Sequence, residues 1–422
     1  MNNYDVIIVG AGVSGLIAAG RAAELGATVL IVEKMHRPGI KLLITGKGRC
    51  NITNSDDIDK FMKNVHPNGR FLKHALFTFF SKDIIDLLHN YGVETIVERG
   101  GRVFPTSNKS VDILNALLSN ATKQGAEFRY NCKVTNLLIN QDGVTGVEII
   151  ENEQKKQITA KKVIICTGGK SYPATGSTGD GYILAKSVGH TIEQPFPALV
   201  PIVTKGNIAG QLQGLALKNV KVTVRVNCKK QTEAFGEMLF THFGLSGPII
   251  LTLSRFIVKE LINNNKIDIS IDLKPALDNP KLDNRLIRDL NKYGKKQIEN
   301  IFKLWLPAKL IPVFIKECGI DPTKEGHQIT GPDRNKIKSL MKDFRFEITG
   351  NRSFKEAIIT AGGINTKEID PKTMQSKLVK NLYFAGEVID VDANTGGYNL
   401  QIAYSTGWLA AESSVKSIKE NI

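Results

Sequence analysis

The feature that most constrains this chain is a glycine-rich turn between a strand and a helix near its start. Residues 4–33 read as one βαβ unit, with a buried strand run YDVIIVG, the turn GAGVSG, an alanine-rich helix and a second strand TVLIVEK. The turn has the spacing G-x-G-x-x-G, and Glu33 ends the second strand. Such a unit turns a helix N-terminus toward a pyrophosphate and places the acid on ribose hydroxyls, which disfavours a 2′-phosphate. The predicted dinucleotide-binding residues here are Gly10, Gly12, Val13, Ser14, Gly15, Glu33 and Lys34.

Length and pattern predict more than one domain. The 422 residues are 42% hydrophobic and 23% charged, as in folded globular proteins. A β-rich tract follows the first unit, the middle of the chain changes to strand runs and then amphipathic helical runs, and strand and helix return at the end. We therefore predict an α/β fold: a discontinuous Rossmann-like domain (1–194 and 346–422), an inserted β-barrel-like domain (195–275 and about 325–345) and a small helical subdomain (276–324).

The charge of the chain has several readings. There are 56 Lys and Arg against 41 Asp and Glu, a net +15, which suits nucleic acid, a membrane surface or an anionic cofactor. Residues 281–345 hold 15 basic and 8 acidic residues, mostly lysines, without aromatic residues interleaved as a stacking platform. We interpret this stretch as a solvated lysine-rich surface and do not expect a nucleic-acid partner.

Membrane and metal classes are also disfavoured. No apolar run reaches the roughly 18 residues of a membrane span, and the apolar stretch at the start lacks a preceding basic region, so we expect a cytoplasmic protein without a membrane span. Five cysteines without a C-x-x-C pair argue against a disulfide framework, a zinc ribbon and a redox dithiol. No metal site is predicted.

A second motif lies just beyond the strand that carries Glu33. Residues 41–54 read KLLITGKGRCNITN, in which cationic side chains alternate with glycines, a composition suited to phosphates or an anionic ring. We interpret Cys50 as a packed thiol, since no histidine neighbours it in sequence. The candidate cofactor contacts here are Lys41, Thr45, Gly46, Gly48, Arg49, Cys50 and Asn51. Because FAD and NAD share the glycine turn, these residues leave the dinucleotide undecided.

Five separated segments, in order, resemble a known family. They are TGKGRCNITN (45–54), GGRVFP (100–105), TGGKSYPATGSTGDGY (167–182), FTHFGLSGP (240–248) and AGEVIDVDANTGGYNLQ (385–401). Over essentially the whole chain they resemble the bacterial HI-type conserved flavoproteins, described as aminoacetone-oxidase-like FAD-binding enzymes, a group that includes a bile-acid reductase. The resemblance implies FAD bound by a discontinuous Rossmann domain that carries an inserted barrel and a helical piece. It implies no single substrate.

The same segments supply the remaining cofactor candidates. Small residues at a strand end allow close approach, the STGDG turn is similar to that of fumarate-reductase and ketosteroid-dehydrogenase flavoproteins, and an acid after the last strand suits the ribityl and phosphate groups. Two glycines then open a helix whose positive end can face the flavin pyrimidine ring, although close packing through Ala403, Gly407 and Ala410 would also explain them. These candidates are Thr167, Gly168, Gly169, Thr178, Asp180, Gly386, Glu387, Gly396, Gly397, Tyr398 and Asn399. Val134, which lies outside the five segments, is a further cofactor candidate.

Two residues are candidates for catalysis. His242 is placed to exchange a proton with substrate, or alternatively fixes the turn before Gly247 and Pro248. Arg49 is a candidate anchor for a carboxylate or for the flavin. We predict an FAD-dependent oxidoreductase that transfers hydride between flavin N5 and a small or amphipathic organic substrate, with reoxidation by O2 or reduction by NAD(P)H as a transient co-substrate, since only one glycine-turn unit is found. The alternatives are an NAD-linked dehydrogenase and a flavin-dependent RNA-modifying or RNA-binding protein.

Overall fold

The protein is described by a computed structural model that covers residues 3–420. Its contacts divide the chain into two units, the first formed by Met1–Pro197 with Ala357–Ile422 and the second by Ala198–Glu356. Each unit has its own cluster of buried apolar side chains. The chain therefore leaves the first unit once and returns to it, as a discontinuous Rossmann-like domain requires.

The elements of the first unit come from both ends of the chain. The strands before the insertion are β1 (Asn3–Val9), β2 (Val29–Val32), β3 (Thr53–Asn54), β4 (Val65–His66), β5 (Thr95–Glu98), β6 (Arg102–Pro105), β7 (Glu127–Arg129), β8 (Cys132–Asn140), β9 (Gly143–Glu151), β10 (Gln154–Ile165) and β11 (Ile192–Ala198). The helices before the insertion are α1 (Val13–Glu24), α2 (Ile40–Ile44), α3 (Ile58–Lys63), α4 (Lys73–Thr78), α5 (Ser81–Asn90), α6 (Ser110–Lys123) and α7 (Asp180–Ser187).

The second unit contributes the middle elements, and the first unit then resumes. The second unit holds β12 (Ile202–Thr204), α8 (Ile208–Gln211), β13 (Ala216–Val226), β14 (Lys229–Thr241), β15 (Gly244–Ser246), α9 (Pro248–Ile262), β16 (Ile267–Asp272), α10 (Asn279–Lys292), α11 (Ile298–Phe302), α12 (Ile311–Cys318), α13 (Gly331–Lys342) and β17 (Phe344–Asn351). The returning chain adds β18 (Ile359–Ile364), β19 (Leu382–Phe384), β20 (Asp392–Ala393) and α14 (Tyr398–Lys419).

The central sheet of the first unit has the strand order β7-β2-β1-β10-β9-β8, and β19 also pairs with β10. Strands β7, β2, β1, β10 and β19 are parallel, with Val6 opposite both Val29 and Lys162. Strands β8 and β9 form an antiparallel extension that leads into the first half of β10. The continuous apolar runs of β1 and β2 are explained by burial on both faces of a parallel sheet.

Small residues let helices α1 and α14 pack closely in the first unit. A Cβ on Gly407 would lie 2.5 Å from the carbonyl oxygen of Ser14, so only glycine fits at this crossing. A Cβ on Gly386 would likewise lie 2.6 Å from the Ser14 side-chain oxygen. The C-terminal helix is therefore pressed against the helix that follows the glycine turn.

The second unit contains a closed barrel with the strand order β12-β15-β14-β13-β16-β17. Alternate residues point inward, as in Val220, Val222 and Val224 of β13, because side chains alternate between the two faces of a strand. Strand β17 pairs with β16 and β12, so the barrel extends beyond the sequence boundary placed at about 345. In β17, FRFEITGN, buried and exposed residues alternate, which predicts a strand but not its partners. Its pairing with β12 and β16 identifies it as a strand of the barrel.

Candidate cofactor site

The three glycines of the turn are not required for the same structural reason. Gly10 has φ +101°, and a Cβ there would lie 2.8 Å from the Cys166 carbonyl oxygen. A Cβ on Gly15 would lie 2.0 Å from the Gly10 carbonyl oxygen. A Cβ on Gly12, however, would meet nothing nearer than the Cys166 oxygen at 4.0 Å. Gly10 and Gly15 are thus required by the backbone, whereas Gly12 leaves space at the start of α1, where a pyrophosphate fits.

Glu33 is held against this turn by its carboxylate. One oxygen, Oε2, accepts a hydrogen bond from the Ala11 backbone amide at 2.7 Å, and Oε1 accepts one from the Met35 amide at 2.8 Å. Each oxygen keeps a further acceptor position, because a carboxylate oxygen carries two lone pairs. The acid is therefore fixed beside the turn and retains the capacity to accept ribose hydroxyls.

A cleft opens in front of Glu33 within the first unit. It brings together six residues from the sequence prediction, since the carboxyl ends of parallel strands meet at one edge of a sheet. Those six are Gly10, Glu33, Lys34, Val134, Thr167 and Asp180. Its other lining residues are Val9, Val32, Cys132, Lys133, Gly176 and Leu184. Several of these end strands, and that position is the signal from which the sequence analysis could have found them. The glycine cradle and the acid fit the adenosine and pyrophosphate parts of FAD.

The cation after Glu33 is neutralised inside the protein. The Lys34 ammonium lies 2.5 Å from Asp180 Oδ2 and 2.5 Å from the Thr178 hydroxyl. Lys133 lies 3.9 Å from the other oxygen of Asp180. Thr178 and Asp180, chosen from the STGDG turn, thus lie beside Glu33, and Lys34 closes one wall of the cleft.

A second polar cluster joins two segments that are far apart in sequence. Lys41 Nζ donates to Glu387 Oε2 at 2.6 Å and to the Ser171 hydroxyl oxygen at 2.6 Å. Glu387 Oε1 accepts hydrogen bonds from the Thr360 amide at 2.7 Å and from Ser171 at 2.9 Å. A Cβ on Gly169 would lie 2.4 Å from the Thr360 hydroxyl oxygen. Ser171 lies in the 167–182 motif but was not chosen from it, and Thr360 stands in none of the five motifs.

The start of α14 is held by the strand that ends the second motif. A Cβ on Gly397 would lie 2.3 Å from the Thr53 carbonyl oxygen. Asn54 Nδ2 donates to the Gly396 carbonyl at 3.0 Å, and the Tyr398 hydroxyl donates to Asp56 at 2.6 Å. Close packing therefore accounts for Gly397, as the competing interpretation held. It also fixes the amide end of a 22-residue helix, where negative charge is favoured.

Neighbouring side chains complete this region. The side-chain amide of Asn51 is oriented so that its nitrogen donates to the Thr53 and Val103 carbonyls. Its oxygen then accepts a hydrogen bond from the Gly397 amide at 3.0 Å. Asn399 accepts a hydrogen bond from the Ala393 amide at 2.9 Å. Val13 and Ser14 lie in the first turn of α1. Segments 51–54 and 396–399, both chosen from the sequence, therefore meet in the folded first unit.

The loop of the second motif has an unusual backbone. Gly46, Lys47 and Gly48 all have positive φ, and Cys50 has φ +58°. The Cys50 thiol is fully buried, and burial raises its pKa to about 12. The backbone of Gly46 and Gly48 fits glycine, and Cys50 is a packed thiol rather than a nucleophile. Thr45 begins this loop and donates its hydroxyl to the Leu42 carbonyl at 2.6 Å.

The guanidinium of Arg49 is engaged by other residues of the first unit. It pairs with Glu98, its Nε donates to Asn108 Oδ1 at 2.6 Å, and it lies 4.2 Å from the centre of the Phe104 ring. Glu98 was not recognised from the sequence. An anionic ligand would compete with Glu98 for this guanidinium, so the anchoring role of Arg49 stays a prediction.

His242 belongs to the second unit. It stands in the turn between β14 and β15, is exposed, and packs edge to face with Phe243 at 4.8 Å between ring centres. Its imidazole forms no hydrogen bond with any of residues 3–420. The two roles given from the sequence, proton exchange with substrate and fixing of the turn, both stay predictions.

The part of the chain that the structure describes offers neither a metal cluster nor a membrane-crossing helix. Among residues 3–420, no three His, Cys, Asp or Glu side chains are grouped so that they could hold a metal ion. Over the same residues, no helix combines the length and the apolar character that a membrane crossing needs.

The fold and the cleft together define an FAD-binding Rossmann protein. Residues 4–413 match the family described as "HI0933-like protein Rossmann domain". The chain belongs to this family, and it is an FAD-dependent oxidoreductase, as the five motifs predicted.

Two relatives resemble the chain over its whole length. The "Ribosomal RNA dihydrouridine synthase" of Escherichia coli K12 is 30% identical over 412 residues, which are 98% of each chain. The "3-dehydro-bile acid delta(4,6)-reductase" of Clostridium scindens is 29% identical over 411 residues, 97% of this chain and 98% of that protein. The sequence analysis expected no nucleic-acid partner. The name of the Escherichia coli relative, which refers to ribosomal RNA, does not support that expectation.

Solved structures agree on the fold. The Sdh1 complex of Mycobacterium smegmatis in its apo form is similar with a TM-score of 0.52, at 16% identity, over 99% of this chain and 69% of that chain. The open conformation of a flavocytochrome c3 fumarate reductase has a TM-score of 0.50, at 18% identity, over 98% of this chain and 78% of that one. At these identities the likeness concerns the fold alone.

Proposed function

We propose that the protein reduces a carbon–carbon double bond that is conjugated to a carbonyl group. When bound, FAD supplies a hydride from N5 in its reduced form. The hydride adds to the carbon β to the carbonyl, a proton adds to the α carbon, and NAD(P)H replaces the two electrons. The overall change is NAD(P)H + H⁺ + C=C → NAD(P)⁺ + HC–CH. The cytoplasm is the compartment we propose for it, because NADH and NADPH are available there.

The observation that carries this proposal is the chemistry shared by these two relatives, each of which matches over its full length. Dihydrouridine is uridine whose C5–C6 bond is saturated, and that bond is conjugated to the C4 carbonyl. A Δ4,6 bond system in a 3-dehydro bile acid is likewise conjugated to the C3 carbonyl. One relative acts on RNA and the other on a steroid by name, yet both names describe saturation of the same type of bond.

The residues of the first unit serve to bind and orient in this proposal. Gly12 leaves room for the pyrophosphate, and Glu33 accepts the ribose hydroxyls. The Lys41–Glu387 ion pair presents a fixed polar wall to the middle of the cofactor. The amide end of α14 favours the negative charge of a reduced ring by about 0.3–2 kcal/mol. None of these residues needs to change protonation during turnover.

Two residues are proposed to act on the substrate. His242 supplies the proton to the α carbon, because its imidazole is exposed and forms no hydrogen bond with any of residues 3–420, which leaves its N–H available to a substrate. Arg49 orients the carbonyl or a carboxylate of the substrate, in exchange for its contact with Glu98. The exposed position of His242 and the half-buried position of Arg49 support these roles.

The experiment is an anaerobic panel on the purified yellow protein. The protein is first mixed with NADH or NADPH to find the donor, and the reduced protein is then mixed with a 4,6-dien-3-one steroid, uridine monophosphate, fumarate or a saturated ketone. Return of the flavin absorbance with a conjugated compound, and a product two mass units heavier, would support the proposal. Reoxidation by oxygen alone, with hydrogen peroxide formed during turnover of an amine, would instead identify an oxidase.

A further inference from the structure

The positive charge of the chain lies mainly in its second unit. Residues 198–356 hold 27 Lys and Arg against 16 Asp and Glu, a net +11, whereas the rest of the chain holds 29 against 25, a net +4. The FAD-binding residues identified above lie in the first unit, so a cofactor phosphate does not explain the excess. A separate anionic partner would.

Part of this charge forms a stripe along α10. Lys281, Arg285, Arg288 and Lys292 are spaced by four, three and four residues, so they share one face of the helix. Leu282, Leu286 and Leu290 are buried on the opposite side of the helix. Lys281, Arg288 and Lys292 are exposed, whereas Arg285 is half-buried. At 1.5 Å per residue the stripe is about 16 Å long.

The stripe continues into the turn after α10. The ammonium groups of Lys292 and Lys296 lie 5.4 and 4.9 Å from the centre of the Tyr293 ring. The Lys296 amide donates to the Tyr293 carbonyl at 2.8 Å, and His327 Nδ1 donates to the Gly294 carbonyl at 2.8 Å. The turn that carries Lys295 and Lys296 is therefore anchored rather than loose.

Carboxylates neutralise only part of this surface. Asp289 pairs with Arg288 at 3.0 Å and with Arg285 at 3.7 Å, and Asp278 pairs with Lys281 at 3.6 Å. Glu325 pairs with His327 at 3.3 Å, and Glu299 is exposed at the start of α11. Lys292, Lys295 and Lys296 form no ion pair with any of residues 3–420. An excess of fixed cations therefore remains in a row.

We propose that this α10 basic face, formed by Lys281, Arg285, Arg288, Lys292, Lys295 and Lys296, binds the sugar-phosphate backbone of RNA. Cations repeated every 5–6 Å along a helix match a partner with regularly spaced phosphates, whereas a steroid presents no such row of charge. The inference rests on the proposed function, since a uracil ring carried by RNA is one of the conjugated substrates that function admits. The face then holds the RNA, and the ring is the reacting group.

The test measures RNA binding by the holoprotein without any turnover. A fluorescein-labelled RNA stem-loop with uridines in its loop is titrated at several salt concentrations, and binding is read as fluorescence anisotropy. The triple variant Lys292→Glu, Lys295→Glu, Lys296→Glu should bind about 30-fold more weakly, and the plot of log affinity against log salt should lose about two units of slope. Retained flavin absorbance shows that the variant is folded.

A matched control separates the face from net charge. Lys218, Lys259 and Lys355 are exposed, lie elsewhere in the second unit and form no ion pair within residues 3–420. Changing all three to Glu alters the net charge by the same amount and should weaken RNA binding less than threefold. Milder Lys→Gln changes at 292, 295 and 296 should give an intermediate loss.

Each outcome decides the inference. Equal losses in both triple variants would reduce it to general charge attraction and overturn it, as would tighter binding to anionic phospholipid vesicles than to the RNA. An absence of RNA binding while the reduced protein still saturates the dienone would overturn the α10 basic face and leave the proposed function standing. RNA binding through the α10 basic face, without reduction of any conjugated bond, would support the face and overturn the proposed function.

Discussion

The Oε2 atom of Glu33 accepts a hydrogen bond from the backbone amide of Ala11 at 2.7 Å. This contact joins the end of β2 to the glycine turn after β1. The same carboxylate also accepts a hydrogen bond from the Met35 amide, so the acid that we propose for ribose is held rigidly against the turn that we propose for pyrophosphate.

The first prediction concerns this carboxylate. Glu33→Gln should weaken FAD binding about tenfold, because the amide nitrogen that replaces one carboxylate oxygen cannot accept a hydrogen bond from a backbone amide or a ribose hydroxyl. The dissociation constant of FAD for the apoprotein, from quenching of flavin fluorescence, measures the effect. Glu127→Gln on β7, which removes an acceptor for Tyr4 outside the cleft, is the control and should leave FAD affinity unchanged.

The second prediction contrasts two glycines of one turn. Gly12→Val should give colourless but folded protein, because the side chain would enter the open space meant for pyrophosphate. Gly15→Ala should instead lower the free energy of unfolding by about 3 kcal/mol, because its Cβ would lie 2.0 Å from the Gly10 carbonyl oxygen. Flavin content and urea denaturation distinguish the two. Full FAD occupancy in Gly12→Val would refute the turn assignment.

The third prediction concerns His242. His242→Ala should change the free energy of unfolding by less than about 0.5 kcal/mol, because the exposed imidazole forms no hydrogen bond within residues 3–420. Substrate turnover should fall while FAD content stays the same, because the proposed proton donor is lost. Unchanged turnover in the variant would remove the proposed proton transfer.

The fourth prediction concerns the cysteines. Burial raises the pKa of Cys50 and of Cys166 to about 12, so almost no thiolate forms there near neutral pH. Cys228 is exposed in the turn between β13 and β14. Iodoacetamide should therefore label Cys228 first in the native protein, as peptide mass spectrometry will show. Rapid labelling of Cys50 would mean that its loop opens.

The fifth prediction concerns pH and stability. Burial lowers the pKa of His190, whose ring nitrogens contact Glu368 at 3.1 Å and Ser376 at 2.8 Å. The folded state then binds fewer protons than the unfolded state below about pH 6.5, so stability is full above that pH and falls toward pH 5. Burial opposes the shift of Glu368, but hydrogen bonds from Thr191 and His190 hold its pKa below the usual range, which acts in the same direction.

Urea denaturation between pH 8 and pH 5 checks the fifth prediction. His190→Gln should flatten the decline, because the amide cannot titrate. His74→Gln, at an exposed position, should retain the full decline. An equal slope in wild type and His190→Gln would assign the pH dependence to other groups.

Much of the fold followed from local patterns. The βαβ unit, the antiparallel extension into β10 and the return of strand and helix at the C-terminus were predicted, because periodicity and turn residues act over a few positions. The full length of β17 as a barrel strand was not, because its alternation looks the same whether or not it pairs with β12 and β16. Strand pairing is a long-range property.

The candidate site divides in the same way. The sequence by itself determined the glycine turn, Glu33 and the five motifs of the family. Each of these is recognised from particular residue types at a fixed spacing along the chain. Only the tertiary structure decided that Lys41 pairs with Glu387, that Glu98 engages Arg49 and that Ser171 and Thr360 complete a polar cluster. Such partners lie tens to hundreds of residues apart, and hydrogen bonds form between groups that folding brings within about 3 Å, a distance that sequence spacing does not encode.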